Sequence, residues 1–205
     1  QQRAAAILLV QKACGLRPSE ALGIQPEHVT PPHLLSHTAA YKFVINLGMR
    51  HGTKANRAQV AMLNCRRYPL AALLLQQLVL TTPANCYLCP MTLAQYQSAI
   101  KRAAERLQLP SYTSHSARAG FATDSILWGD DFVTVREAGR WLHDTSLRIY
   151  LDQVSVTSQL SHFAKQGRLN NIEVLRTQAP LYFKWCHGCS FKQVHVPGQL
   201  LLSVS

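Results

Sequence analysis

The sequence predicts an α+β protein, mainly α, with one small antiparallel β-sheet, and three observations carry that prediction. Apolar residues recur at helical spacing in several long stretches, notably residues 3–15, 69–80 and 92–107. Only one part of the chain reads as paired strands. The string AYKFVINL at 40–47 is rich in β-formers, and residues 58–63 alternate again after the polar stretch RHGTKANR. The chain has 205 residues and is 47% hydrophobic, enough to bury a core of ordinary size in one domain or a domain with an appendage.

Taken in order, residues 3–15 form a helix closed by Gly15, and Pro18 reopens a helix at its first turn, where proline is tolerated. Residues 40–47 and 58–63 form a hairpin with a basic tip. Two helices follow at 69–80 and 92–107, with a cysteine-containing loop between them. Residues 114–127 read as a helix capped by Ser or Thr. Shorter helices are expected at 133–141 and 146–151, separated by the polar turn His143, Asp144 and Thr145. Beyond Asp152 the pattern weakens. Residues 180–205 mix aromatics, cysteines and β-formers without clean periodicity, and no element is assigned there. There is no internal repeat or low-complexity tract.

Charge narrows the partner. Lys and Arg outnumber Asp and Glu by 21 to 10, a net charge of +11 and a pI near 9.7, which suits a polyanion such as nucleic acid or an anionic membrane surface. No apolar run approaches the roughly 18 residues of a membrane span, and the first residues do not read as a secretory signal, so a soluble intracellular protein is expected. The chain opens at Gln1, without methionine and almost directly into a helical pattern, as expected of a piece of a longer protein. Six cysteines include two C-x-x-C pairs, Cys86 with Cys89 and Cys186 with Cys189, a donor set that four-thiolate zinc uses. About a hundred residues part the two pairs, against roughly 15 to 20 in zinc ribbons, which favours ordinary reduced thiols.

Four strings carry chemistry. GLRPSEALGI, residues 15–24, places Arg17 and Glu20 at a helix start, and a guanidinium there can hold two phosphate oxygens without losing its charge. GTKANRAQVAML, residues 52–63, carries Lys54 in the polar turn, with Arg50 and Arg57 close by. SHSARAGFATD, residues 114–124, holds His115 and Arg118 at an i, i+3 spacing that puts both on one helix face. GRWLHDTSLRIYLD, residues 139–152, sets Trp141 nine residues before Tyr150. Each alone is ordinary: a solvated Arg–Glu helix start, a solvated lysine, a chance H-x-x-R, a core tyrosine. Their joint order is not.

Together the strings resemble the catalytic domain of the tyrosine recombinase, or phage-integrase, family over residues 15–152. That family places a His or Trp nine residues before its nucleophilic tyrosine, so His143, at seven, has the wrong separation. The resemblance implies the DNA breaking-rejoining fold for residues 1–152, leaves 153–205 as a C-terminal segment of unassigned structure, and implies a helical DNA-binding domain upstream. It implies that Arg17 and Arg118 clamp the scissile phosphate, with Glu20 supporting the helix opening. Lys54 would protonate the leaving 5′ oxygen, and Arg50 and Arg57 would be further cations on the DNA. His115 would bond the phosphate or move a proton, and Trp141 would pack beneath it. Tyr150 would be the nucleophile, storing the bond as a 3′-phosphotyrosine.

No metal, nucleotide or other cofactor is implied, because two arginines, a lysine, a histidine and a tyrosine supply the charge, acid and nucleophile that the reaction needs. The implied function is site-specific recombination or integration, with double-stranded DNA as partner, self-association on DNA as a tetrameric synapse, no membrane partner, and a location with DNA in nucleus or nucleoid. The wording from GRW to YLD is similar to recombinases of eukaryotic mobile elements. Three alternatives stay open: a catalytically degenerate DNA-binding remnant of a mobile element, a zinc-stapled nucleic-acid-binding module on Cys86, Cys89, Cys186 and Cys189, and a topoisomerase using the same tyrosine chemistry.

Overall fold

Helix α1 (Gln2–Cys14) is the element on which the others converge, since Ala4, Ala6, Ile7, Val10, Gln11, Ala13 and Cys14 are all buried. It packs against α5 (Ser116–Leu127), α3 (Pro69–Thr81) and β3 (Val60–Asn64). A helix that is apolar on most of its circumference is driven inside, with only Ala5 exposed and Lys12 reaching out to pair with Asp124. The computed structural model describes residues 2–32, 41–48, 59–148 and 150–151, together with the backbone of strands at 191–196 and 199–204. The chain divides into two compact units, residues 1–151 and 152–205. Among the described residues no helix is long and apolar enough to cross a membrane.

Gly15 ends α1 with φ +59°, a left-handed conformation that glycine adopts without steric cost. A Cβ there would also stand 2.6 Å from Phe121 Cδ1. Pro18 then opens α2 (Pro18–Leu22), with Arg17 extended just before it. A short 3₁₀ turn at Pro26–His28 leads into β1 (Val29–Thr30). β1 pairs antiparallel with β2 (Lys42–Asn46), and β2 with β3, in the order β1-β2-β3. Phe43 lies opposite Leu63 and Ile45 opposite Ala61, and all four are buried, while Val60 and Met62 face out. That alternation is the mark of a sheet with one face on the core. β2 and β3 are the strands expected at 40–47 and 58–63, while the two-residue β1 is too short to leave a pattern in the sequence.

α3 is buried over most of its length. α4 (Leu93–Arg106) is amphipathic, burying Tyr96, Ile100 and Ala104 at four-residue steps behind the Thr92–Gln95 capping box. One buried polar chain ties these helices together. Tyr96 donates its hydroxyl to Gln11 Oε1 at 2.7 Å, and Gln11 Nε2 donates to the carbonyls of Ser114 at 2.8 Å and Leu16 at 3.3 Å. Gln11 thereby joins the segment leading to Arg17 with the segment leading into α5. Tyr96→Phe strands the Gln11 acceptor in the core, and a loss of about 1–3 kcal/mol is expected in urea denaturation; an unchanged midpoint would show that Gln11 has another donor.

Three boundaries differ from expectation. α5 begins at Ser116 and not at 114, because the Ser114 carbonyl is held by Gln11 and His115 takes the cap position. α6 (Phe132–Gly139) stops before Trp141: Arg140 turns left-handed, with φ 59° and ψ 41°. α7 (Asp144–Arg148) starts inside the expected polar turn, where Asp144 bonds Arg136 at 2.8 Å and its negative charge suits a helix N-terminus. In the second unit, β4 (Phe191–Val196) and β5 (Gln199–Val204) pair antiparallel in the stretch to which no element had been assigned.

Candidate active site

Arg17, His115, Arg118, Trp141 and Tyr150 line one cavity of about 310 Å³, together with Leu142, His143 and Ser146. These residues come from the α1–α2 corner, the start of α5, and the stretch after α6. Each is placed by a local device. Arg17 precedes α2, where Glu20 reaches back to accept from the Arg17 backbone N–H and from its guanidinium, both at 2.6 Å. Glu20 is buried and pairs a second time, with Arg140 at 2.9 Å. Burial works against ionising Glu20, but the charge of Arg140 and the hydrogen bonds and charge of Arg17 outweigh it, so its carboxyl titrates below the usual range.

The sign of that shift sets a pH dependence. A carboxyl that titrates lower in the folded chain than its unfolded value of about 4.3 contributes stability that is fully present above that value. The contribution is lost as pH falls through the lower, folded value. Glu20→Gln is therefore expected to cost on the order of 3 kcal/mol at pH 7, since it leaves the inward-held Arg140 without its carboxylate and removes the partner of the part-exposed Arg17. Urea denaturation of both proteins from pH 7 downward checks this: the gap should close as the wild-type carboxyl protonates, and a gap independent of pH would mean that packing alone is lost.

Arg118 lies in the first turn of α5 and is buried, donating to the Gly15 carbonyl. Its guanidinium carbon stands 4.1 Å from the centre of the Trp141 ring. Burial, with the neighbouring charges of Arg17 and Arg140, lowers its pKa to about 10, which still leaves it protonated at neutral pH. Trp141 is buried, stacks on Phe121 at 6.3 Å between centroids and meets Tyr150 at 6.0 Å. Gly139 makes room for the indole: a Cβ there would fall 1.5 Å from Trp141 Cζ3. Tyr150 follows α7 and is held by its backbone. Its N–H donates to Leu147 O at 2.9 Å and its carbonyl accepts from Thr123 Oγ1 at 3.0 Å.

Of the residues singled out from sequence, the structure brings Arg17, His115, Arg118, Trp141 and Tyr150 together, with Glu20 bonded to Arg17. His115 is at the helix cap and not within the helix. Lys54, Arg50, Arg57, Cys186 and Cys189 lie outside the described residues. Cys86 is exposed and Cys89 buried, both as free thiols, and among the described residues no three His, Cys, Asp or Glu side chains cluster as a metal site. Sequence reasoning missed Arg140, whose only signal was its place between Gly139 and Trp141. It also set His143 aside on spacing, although His143 lines the cavity.

No protein-family model and no curated protein matches the chain. Solved structures do. The XerH site-specific recombinase bound to difH substrate, in a pre-cleavage complex, aligns with a TM-score of 0.54 and 21% identity over 72% of this chain and 42% of that one. The Tn1549 transposon integrase in complex with transposon right end DNA gives 0.54 and 14%, over 80% of this chain and 59% of that one. XerA recombinase gives 0.53 and 14%, over 79% and 63%. The mostly helical unit with its three-stranded sheet thus has the catalytic fold of tyrosine recombinases, and the chain spans between 42% and 63% of these proteins' length.

Proposed function

We propose that this chain carries the catalytic domain of a tyrosine recombinase or integrase, which cuts and rejoins double-stranded DNA through Tyr150. The observation that carries the reading is the shared cavity. Two guanidiniums, a histidine, an indole and a phenol from distant parts of the chain face one space large enough for a phosphodiester. Charge that develops on the equatorial oxygens of a pentavalent phosphorus is met by the forks of Arg17 and Arg118. The Tyr150 oxygen forms a bond to phosphorus as the bond to the 5′ oxygen breaks. The phenol proton passes to His115, and the departing 5′ oxygen takes a proton from Lys54. The 3′-phosphotyrosine keeps the bond for rejoining by the reverse transfer, with no nucleotide consumed and no metal in the step. The net charge of +11 suits the DNA backbone. Assembly as a tetramer on DNA, and a place with DNA in nucleus or nucleoid, complete the reading.

The test is a nicked-duplex suicide substrate, tiled across the ends flanking the chain's own gene, incubated with the protein in EDTA. The expected product is a covalent protein–DNA band on a denaturing gel, whose DNA-bearing peptide contains Tyr150. DNA binding without any covalent species would support a degenerate remnant instead. In a parallel reaction on a supercoiled plasmid carrying the same ends, relaxed circles without exchanged strands would move the reading to a topoisomerase.

A further inference from the structure

Arg140 does not line the cavity, yet it is bonded to the groups that hold both cavity arginines. Its guanidinium is one-tenth exposed and donates to Glu20 Oε2 at 2.9 Å and to the Gly15 carbonyl at 3.3 Å. Its own carbonyl accepts from Arg17 at 3.3 Å. These contacts are held at a local cost. The backbone is left-handed, uncommon for a side chain of this size, and Nε is buried without a hydrogen-bond partner among the described residues. A residue kept in such a conformation is over-determined by its surroundings, and such residues gather at functional sites.

Arg140 shares an acceptor with each cavity arginine: Glu20 with Arg17, and the Gly15 carbonyl with Arg118. Were Arg17 alone to pair with Glu20, the two charges would cancel and Arg17 would offer an anion little net attraction. With Arg140 on the same carboxylate, Arg17, Arg118 and Arg140 set three positive charges against one negative. The two guanidiniums that face the cavity keep an excess of positive charge while still being held in place. We propose that Arg140 is a positioning residue for an oxyanion in this cavity: it takes up the charge of Glu20 and anchors the Gly15 carbonyl, leaving Arg17 and Arg118 charged and aligned. The inference rests on reading the cavity as a phosphate site, and it adds a residue outside the cavity wall.

The experiment titrates the full chain with inorganic phosphate and follows the side-chain Nε–Hε resonances of Arg17 and Arg118 by NMR, for wild type, Arg140→Asn and Arg140→Lys. Asn tolerates the left-handed backbone, so its substitution removes the charge without straining the turn. Wild type is expected to shift both resonances on binding. Arg140→Asn should fold, with phosphate affinity about tenfold weaker or more, equivalent to about 1.4 kcal/mol. Arg140→Lys should return to within about threefold of wild type, since an ammonium can also take the charge of Glu20. Wild-type affinity in a folded Asn variant overturns the positioning role while leaving the phosphate site standing. No shift of either resonance in wild type overturns both. Should the Asn variant not fold, the Lys variant decides: affinity more than about tenfold below wild type refutes the charge-sharing role.

Discussion

Tyr150→Phe is expected to abolish the covalent protein–DNA species entirely, with DNA affinity and folding stability each within about 0.5 kcal/mol of wild type. The separation follows from how the residue is held. Its ring is packed against Trp141 and its backbone is tied to Leu147 and Thr123, and neither anchor uses the hydroxyl. Phenylalanine fills the same space and keeps both anchors, so the cavity persists without the phenol hydroxyl. Electrophoretic mobility shift, a thermal melt and a denaturing gel on the same preparations check the three parts. Equal covalent trapping by both proteins would remove Tyr150 from the mechanism, and equal loss of binding and trapping would assign it a structural role only.

Arg118→Ala is expected to slow single-turnover cleavage by about 10²–10³-fold, the usual effect of removing one preorganised donor from a developing oxyanion. It should also cost on the order of 1–3 kcal/mol of stability, because the buried guanidinium lies over Trp141 and its loss takes a donor from the Gly15 carbonyl. Arg118→Lys separates the two effects. Lysine keeps a donor within the buried site but not the planar fork, and burial beside Arg17 and Arg140 favours its neutral form. Stability should therefore recover more than the rate. Cleavage within about tenfold of wild type in a folded Ala variant would show that Arg118 is a packing residue, a smaller effect than loss of an oxyanion donor produces.

Much of this molecule was legible along the chain because its devices are local. Gly15 and Pro18 mark the break between two helices, the four-residue steps of Tyr96, Ile100 and Ala104 mark an amphipathic face, and alternation through Ala61 and Leu63 marks a half-buried strand. Arg17, Arg118, Trp141 and Tyr150 could be named as a set because their order and separations carry a family resemblance, and the structure brings them to one cavity. Local rules failed where a long-range contact outweighed them. Gln11 claims the Ser114 carbonyl and moves the start of α5 past His115, while Arg136 and Asp144 bond across the expected turn and extend α7 toward it.

The sequence by itself determined the fold class, the main helices and the pairing of β2 with β3, since periodicity, caps and turn residues depend on neighbours a few positions away. Only the tertiary structure decided that Arg140, without a local signal of function, turns inward to share Glu20 with Arg17 and the Gly15 carbonyl with Arg118. Which arginines face a cavity and which stand behind it is set by burial and charge balance among groups more than a hundred residues apart. One-dimensional spacing does not encode that balance.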